Sequence, residues 1–191
     1  MTNLDAVGRF ERVTVPLDGR RAAAVAVVVI EGPAILLTRR VPELRSHPGQ
    51  FALPGGRFDD GEDAVAAALR ELREELGIAA DRTDVVGLLD DYPTRSGYVI
   101  TPVVLRLADA QEPVPNPGEV AEVYRIPFAD LDAEPRYLTI PESDRPVIQL
   151  PLLGGFVHAP TAAVLFQFRE VALHGRQTRV GHLEQPVWAW R

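Results

Sequence analysis

Between Glu62 and Leu76 the chain carries a pattern that constrains its fold and its chemistry together. At about 100° per residue, Val65, Ala68, Leu69, Leu72 and Leu76 fall in one narrow stripe, the mark of a helix with a buried face. Glu71, Glu74 and Glu75 then fall on the opposite side. Glu71 meets Glu74 at i,i+3 and Glu75 at i,i+4, spacings at which like charges cost roughly 0.2–0.5 kcal/mol per pair. Glu74 and Glu75 also stand in the last turn, just before Gly77, the expected C′ residue. Carboxylates there oppose the helix dipole, at about 0.3–1 kcal/mol each. A solvated acidic face and a cation site are both compatible with the spacing alone. A divalent cation would offset both penalties, because Mg²⁺ and Mn²⁺ prefer oxygen donors. Local rules broken repeatedly in one small area are expected at functional sites.

The charge around this helix is uneven. The 191-residue chain has a net charge of −7, and all of its 20 basic residues are arginine. From Asp59 to Glu75 seven acids face only Arg70 and Arg73, so this stretch alone carries −5. Just upstream, Arg39, Arg40, Arg45 and Arg57 face only Glu43. A basic segment leading into an acidic one suits an anionic substrate that carries a divalent cation. The acidic balance argues against sequence-blind binding to nucleic acid.

There is no cysteine, which removes disulfide scaffolds, thiol nucleophiles and cysteine zinc sites. The absence of lysine removes Schiff-base chemistry and the lysine-bearing phosphate loop. Hydrophobic residues at 46% and charged residues at 25% suit a chain that buries a core. The longest apolar run, Ala22 to Ile30, is too short for a bilayer-spanning helix, and no signal-like segment precedes it. A cytoplasmic protein is expected. One domain should cover residues 1–191, with an N-terminal arm at 1–21 and a tail at 175–191.

Ala22–Ile30 and Ala34–Arg39 read as a β-hairpin broken by Glu31-Gly32-Pro33. Pro48 to Gly61 reads as loop, with Pro54-Gly55-Gly56 as a tight break. Asp84–Leu89, Tyr98–Leu107 and Val120–Ile126 read as strands, and Asp109–Gly118 as a connecting loop. Thr161–Leu173 reads as a second helix starting near Pro160. Val187–Trp190 reads as a final strand, and residues 1–21 as a helix or an irregular arm. Strands interleaved with two clear helices predict an α/β sandwich built on a mixed sheet.

Gly56, Glu62, Arg70, Glu71, Leu72, Glu74, Glu75, Gly77 and Ile78 occupy all nine fixed positions of one 23-residue pattern. By these residues the chain resembles the Nudix (MutT-like) hydrolases, whose signature reads G-x5-E-x7-R-E-U-x-E-E-x-G-U with U aliphatic. The resemblance implies a Nudix-type α/β/α sandwich with a mixed β-sheet and a loop–helix–loop catalytic unit. It also implies hydrolysis of a phosphoric anhydride bond in nucleoside diphosphate derivatives, with Mg²⁺ or Mn²⁺ as cofactor. Leu36-Leu37-Thr38-Arg39-Arg40, with Arg45, Gly49 and Pro54-Gly55-Gly56, is similar to the motif that precedes this signature in coenzyme A pyrophosphatases. Val41 and Leu53 depart from that motif, which has a small residue and a phenylalanine there. Tyr92-Pro93-Thr94-Arg95-Ser96-Gly97-Tyr98 and Thr101-Pro102-Val103-Val104 also resemble the subfamily. His158-Ala159-Pro160-Thr161-Ala162 is only loosely similar to its tryptophan-glycine-x-threonine-alanine segment.

The resemblance implies Glu74 and Glu75 as metal ligands, with Glu71 binding metal or acting as base. The Gly56 carbonyl would complete the shell. Arg70, at i,i+4 to Glu74, is expected to orient a carboxylate. Glu62 is assigned to the first helical turn, where the dipole favours an acid. Glu119 and Glu122 lie where many Nudix enzymes place a further base or metal-linked carboxylate. Arg39, Arg40 and Arg45 are candidates for phosphate contacts, since guanidinium pairs bidentately with phosphate oxygens. Ser96 and Thr94 are candidate substrate contacts or turn residues, and His47 is expected to fix loop geometry. Trp188 and Trp190 are expected as core or interface anchors.

The expected substrate is a small-molecule nucleotide derivative. In first place stands the pyrophosphate of coenzyme A or its derivatives, with 4′-phosphopantetheine and adenosine 3′,5′-bisphosphate as products. ADP-ribose, NADH or another nucleoside diphosphate derivative is the alternative, and a nucleotide-sensing module without catalysis is the third reading. No nucleic-acid or membrane partner is expected, and the chain should be a monomer or a homodimer.

Overall fold

The computed structural model describes residues 3–42, 49–107 and 111–190. Its centre is β1 (Arg21–Ile30), an apolar run with no polar alternation. The absence of alternation has a cause: both faces of the strand are covered. Ala24, Ala26, Val28 and Ile30 pack in one buried cluster, and Val27 and Val29 in another. The neighbouring β2 (Ala34–Arg40) divides in the same way, with Ala34 and Leu36 on one side and Ile35 and Leu37 on the other. Two apolar layers therefore sandwich the sheet, and each needs a helix to close it.

The sheet is mixed. β1 pairs antiparallel with β2 and parallel with β7 (Tyr98–Arg106), over the register Arg21↔Tyr98 to Val29↔Arg106. β5 (Val85–Leu88) lies beyond β7, and β8 (Val120–Pro127) runs antiparallel along β2. Three short strands complete it: β3 (Phe51–Ala52) on β2, β4 (Gly55–Arg57) on β1 and β6 (Tyr92–Pro93) on β7. The expected hairpin is present. Pro48 to Gly61, expected as loop, instead contains β3 and β4, two segments too short to show a period.

Helix α2 (Ala64–Leu76) closes one layer with Ala67, Ala68, Leu72 and Leu76. Leu72 and Leu76 are fully buried, and each contributes roughly 1.5–3 kcal/mol of transfer free energy. Asp63 caps the start, its Oδ1 accepting from the Ala66 N–H at 2.8 Å. Gly77 ends the helix in the left-handed region at φ 66. The cap places Glu62 ahead of the helix, which corrects its expected position in the first turn.

The other layer is closed by α4 (Thr161–Phe168), with Ala162, Ala163, Leu165 and Phe168 in the core. A single wide π-helical turn, Arg169–Leu173, replaces the last part of the α-helix expected to reach Leu173. At that turn the buried Arg169 meets Asp132 at 2.9 Å, Glu134 at 3.0 Å and Glu170 at 3.2 Å. Two further helices are short, α1 (Leu4–Gly8) and α3 (Phe128–Leu131). After α1 the arm is extended and strapped down: Val13 N–H donates to Asp90 Oδ1 at 2.6 Å and Val15 N–H to Asp91 Oδ2 at 3.0 Å.

A second, antiparallel sheet stands outside the expectations: β9 (Arg136–Ile140), β10 (Ser143–Leu152) and β11 (Gly155–His158). Pro146 and Pro151 break the apparent pattern of β10, and its register shifts between Ser143 and Val147. Proline is tolerated at such irregularities and at edges, which hides the strand from a pattern reading. Val187–Trp190 forms a 3₁₀ turn rather than the expected strand. The Trp190 indole N–H donates to the Gln185 carbonyl at 3.0 Å and Arg95 lies 5.0 Å from its ring centre, so the tail folds back on itself. Among the described residues no helix is long and apolar enough to cross a membrane.

Candidate active site

Glycine allows the close approach of strand β4 to β1 and to helix α2. A side chain at Gly55 would lie 2.3 Å from the Ala24 carbonyl oxygen, and one at Gly56 would lie 2.1 Å from Glu71 Oε1. β4 can therefore lie on β1 only because Gly55 has no Cβ, and the absence of one at Gly56 leaves the Glu71 carboxylate its position. The backbone at Gly56 thus meets the Glu71 carboxylate directly.

The three helix glutamates have different surroundings. Glu75 is buried at 3% exposure beside the core leucines, whereas the Glu74 side chain is 50% exposed. The acidic arc, whose spacing alone allows a solvated face or a cation site, is therefore split: Glu74 is half exposed and Glu75 is buried. Burial pushes the Glu75 carboxyl up to about 8; Arg40 opposes the shift, and Glu71 and Glu119 add to it. Burial also raises Glu71, against the pull of Arg70 and with the help of Glu74 and Glu119. At both carboxylates burial and like-charge neighbours outweigh the pull of the nearby arginine.

Arg70 organises the rest. Its Nε donates to Glu62 Oε1 at 2.9 Å, and its Nη1 to Glu71 Oε1 at 2.8 Å and Glu74 Oε2 at 3.1 Å. Its Nη2 reaches the Arg57 carbonyl at 2.9 Å and Glu62 Oε2 at 3.0 Å. Glu62 in turn accepts from the Asp59 N–H at 2.8 Å. The hydrogen bond from Arg70 and that from Asp59 hold Glu62 below the usual carboxylate range. The residue is a strap between loop and helix, not a dipole partner.

The loop after β7 completes the arrangement. Val114 N–H donates to the Leu76 carbonyl at 2.7 Å and Asn116 N–H to the Glu75 carbonyl at 2.8 Å, so the loop satisfies the open end of the helix. Asn116 Nδ2 donates to Glu119 Oε1 at 3.3 Å. Glu71, Glu75, Glu119, Gly56 and Arg40 all line one cleft of about 520 Å³. Arg57, Ser96, Thr94, Tyr98 and Gln185 extend its wall.

Other expected site residues lie elsewhere. Arg39 alternates away from Arg40 and pairs with Glu122 at 3.4 Å, its direct neighbour across β2 and β8. Neither lines the cleft, and nor does Glu74. Ser96 lies 3.2 Å from the Thr94 hydroxyl, which accepts from the Tyr98 N–H at 2.9 Å, so both shape a turn in the wall. Trp188 is half exposed, edge-on to His158 at 5.1 Å. Arg45 and His47 lie outside the described residues. Sequence reasoning missed Gln185, and no local motif marks it: its place depends on how the tail folds back.

The donor set can be tested against a divalent cation. Among the described residues no three histidine, aspartate or glutamate side chains form a closed cage. A hard cation that keeps several waters and is completed by substrate phosphates needs only one or two carboxylates. The buried and underpaired Glu75, with Glu71 against the side-chain-free Gly56, fits that requirement.

Comparison with known proteins bears on the family and the fold. The NUDIX domain family matches residues 20–150. The chain is 40% identical over 125 residues to the uncharacterized Nudix hydrolase NudL of Pectobacterium atrosepticum, covering 64% of this chain and 65% of that one. The NudL of Photorhabdus laumondii is 38% identical over 134 residues, covering 66% and 72%. The match to the Pectobacterium relative thus spans just under two thirds of its length. In structure, a Nudix hydrolase from Nitrosomonas europaea aligns with a TM-score of 0.59 at 19% identity, over 83% of this chain and 75% of that one. The Nudix hydrolase RenU of M. smegmatis aligns with a TM-score of 0.54 at 22% identity, over 84% and 91%. The sandwich with its mixed sheet is the Nudix fold, and the chain belongs to the Nudix family.

Proposed function

We propose that this chain is a divalent-metal-dependent pyrophosphohydrolase whose substrate is coenzyme A or a derivative of it. The observation that carries the reading is the cleft itself, which sets buried carboxylates beside arginines. Glu75 and Glu71 would hold the cation, with the Gly56 carbonyl as a further oxygen donor. When bound, Mg²⁺ or Mn²⁺ supplies charge neutralisation on the diphosphate and makes water more acidic.

The remaining roles belong to the protein. Arg40 and Arg57 pair with phosphate oxygens. Arg57 has no carboxylate partner among the described residues. Arg70 holds Glu71 and Glu74 in place. Glu119, in the cleft wall, takes the proton from the attacking water as its oxygen bonds to one phosphorus in line and the bridging oxygen leaves with the other phosphate. The coenzyme A assignment rests on the run Leu36 to Arg40, Pro54-Gly55-Gly56 and the segment Tyr92 to Tyr98, and an anion with three phosphates accords with the arginines at the cleft.

Mass spectrometry of products from a panel of coenzyme A, acetyl-coenzyme A, ADP-ribose, NADH and diadenosine polyphosphate tests the proposal. Release of adenosine 3′,5′-bisphosphate in the presence of Mg²⁺ is expected. Turnover of ADP-ribose or NADH in its place would remove the substrate and leave the chemistry. Metal-independent binding without turnover would indicate a sensor.

A further inference from the structure

The cleft is lined by two chemically different sets of residues. Glu71, Glu75, Glu119, Arg40 and Arg57 are ionisable, whereas Thr94, Ser96, Thr161 and Gln185 are uncharged and able to hydrogen-bond. Two of the arginines near these groups are already engaged, whereas Arg57, among the described residues, is not. Arg95 is bound to Glu184 at 2.6 Å, and Arg21 lies over the Tyr98 ring at 5.8 Å. Such a wall suits an uncharged, hydrogen-bonding group.

Gln185 is the distinctive residue there. It is 1% exposed, yet it lines the cleft. Its Oε1 accepts from the Arg95 N–H at 2.7 Å, which fixes which end of the amide is which. Among the described residues its side-chain NH₂ donates to nothing, and an unused donor in a polar cleft wall is available to a ligand. Gln185 is also held with unusual firmness for a residue so near a chain end. The adjacent Glu184 accepts from Arg95 and from Ser143 Oγ at 2.8 Å, and it bridges to Val147. The Leu183 carbonyl accepts from the Tyr92 hydroxyl at 3.0 Å, and Arg145 donates to the carbonyls of Gly181 and His182. These anchors tie the tail to the 94–98 turn and to the second sheet.

We propose that Gln185 is a specificity-determining residue, its NH₂ donating to an uncharged acceptor on the part of the substrate that flanks the diphosphate. This rests on the hydrolase reading above, and in coenzyme A that part is the amide-bearing pantetheine arm. The C-terminal segment is then part of the substrate site.

The test separates binding from turnover. Gln185→Glu keeps the acceptor for the Arg95 N–H and removes the donor; Gln185→Met removes both without adding charge. Calorimetry with 4′-phosphopantetheine should show binding at least tenfold weaker in both variants, with adenosine 3′,5′-bisphosphate changed less than twofold. The KM for coenzyme A should rise about tenfold while kcat moves less than threefold. Unchanged 4′-phosphopantetheine affinity, or equal losses for both products, would overturn the proposal. A merely structural role would lower the melting temperature and weaken both products alike. Should the wild type bind neither product, the coenzyme A reading fails, and the variants are read instead on ribose 5-phosphate and AMP. A loss for ribose 5-phosphate alone supports Gln185, and any other pattern rejects it.

Discussion

Arg40 Nη1 lies 4.0 Å from Glu75 Oε1, and these two residues join strand β2 to helix α2. Glu75 is almost wholly buried, and Arg40 Nε is buried with no hydrogen-bond partner. Each therefore lacks something the other supplies only in part. A cation at Glu75 and a phosphate at Arg40 would complete both at once, which is how a metal–diphosphate pair would enter this cleft.

The burial of Glu75 has a pH signature in the metal-free protein. Its carboxyl rises from 4.5 to about 8, so between those values the folded chain keeps a proton that the unfolded chain releases. Stability should fall as pH rises through that window. Glu75→Gln removes the penalty and should raise stability in chelator at pH 8 by an amount on the order of a few kcal/mol, and the melting temperature with it. Near pH 4 the gain should vanish. Thermal melts at both pH values check this, and a variant no more stable at pH 8 contradicts it.

Gly56→Ala places a methyl group where the Glu71 carboxylate lies. The helix is held by its leucines, so the carboxylate should move rather than the fold. Affinity for Mn²⁺, followed by electron paramagnetic resonance, should drop about tenfold, the lower end of the usual loss when the surroundings of a ligand are disturbed. Unchanged affinity would place the cation away from Glu71.

Arg70→Lys keeps the charge and loses the fork that serves Glu62, Glu71 and Glu74 together. The variant should lose about 1–3 kcal/mol in a denaturant titration, the cost of leaving charged partners unsatisfied. Its kcat should fall with it, because Glu71 is no longer held.

Glu184 should matter in acid. Burial works to raise its carboxyl, but Arg95, the Gln185 N–H and Ser143 outweigh it and hold the group below its usual range. The stability it contributes is therefore complete above the unfolded value of 4.5 and is lost as pH falls through the lower folded value. Glu184→Gln should lower the melting temperature at pH 7 and narrow the gap to wild type near pH 3. A gap independent of pH would mean that the pair carries no net charge–charge stability.

The helix and the central hairpin were legible because their signals are local. The apolar stripe, Gly77 and the crowded glutamates lie within a few turns, and the unbroken run of β1 marks a strand covered on both sides. The second sheet was not legible, since two prolines interrupt β10 and its partners are short. The split among the glutamates could not be read from a helical wheel either. Whether Glu75 is solvated depends on the loop at Asn116 to Glu119 and on β2, which sequence spacing along the helix does not report. Arg39 and Arg40 looked equivalent as neighbours, yet strand alternation sends one to Glu122 and the other to the cleft.

The most direct test is the release of adenosine 3′,5′-bisphosphate from coenzyme A, followed by mass spectrometry with Mg²⁺ present, for the wild type beside Glu75→Gln. Release by the wild type and a loss of orders of magnitude in the folded variant are expected. Equal rates for the two proteins, or no release by the wild type, would contradict the assignment.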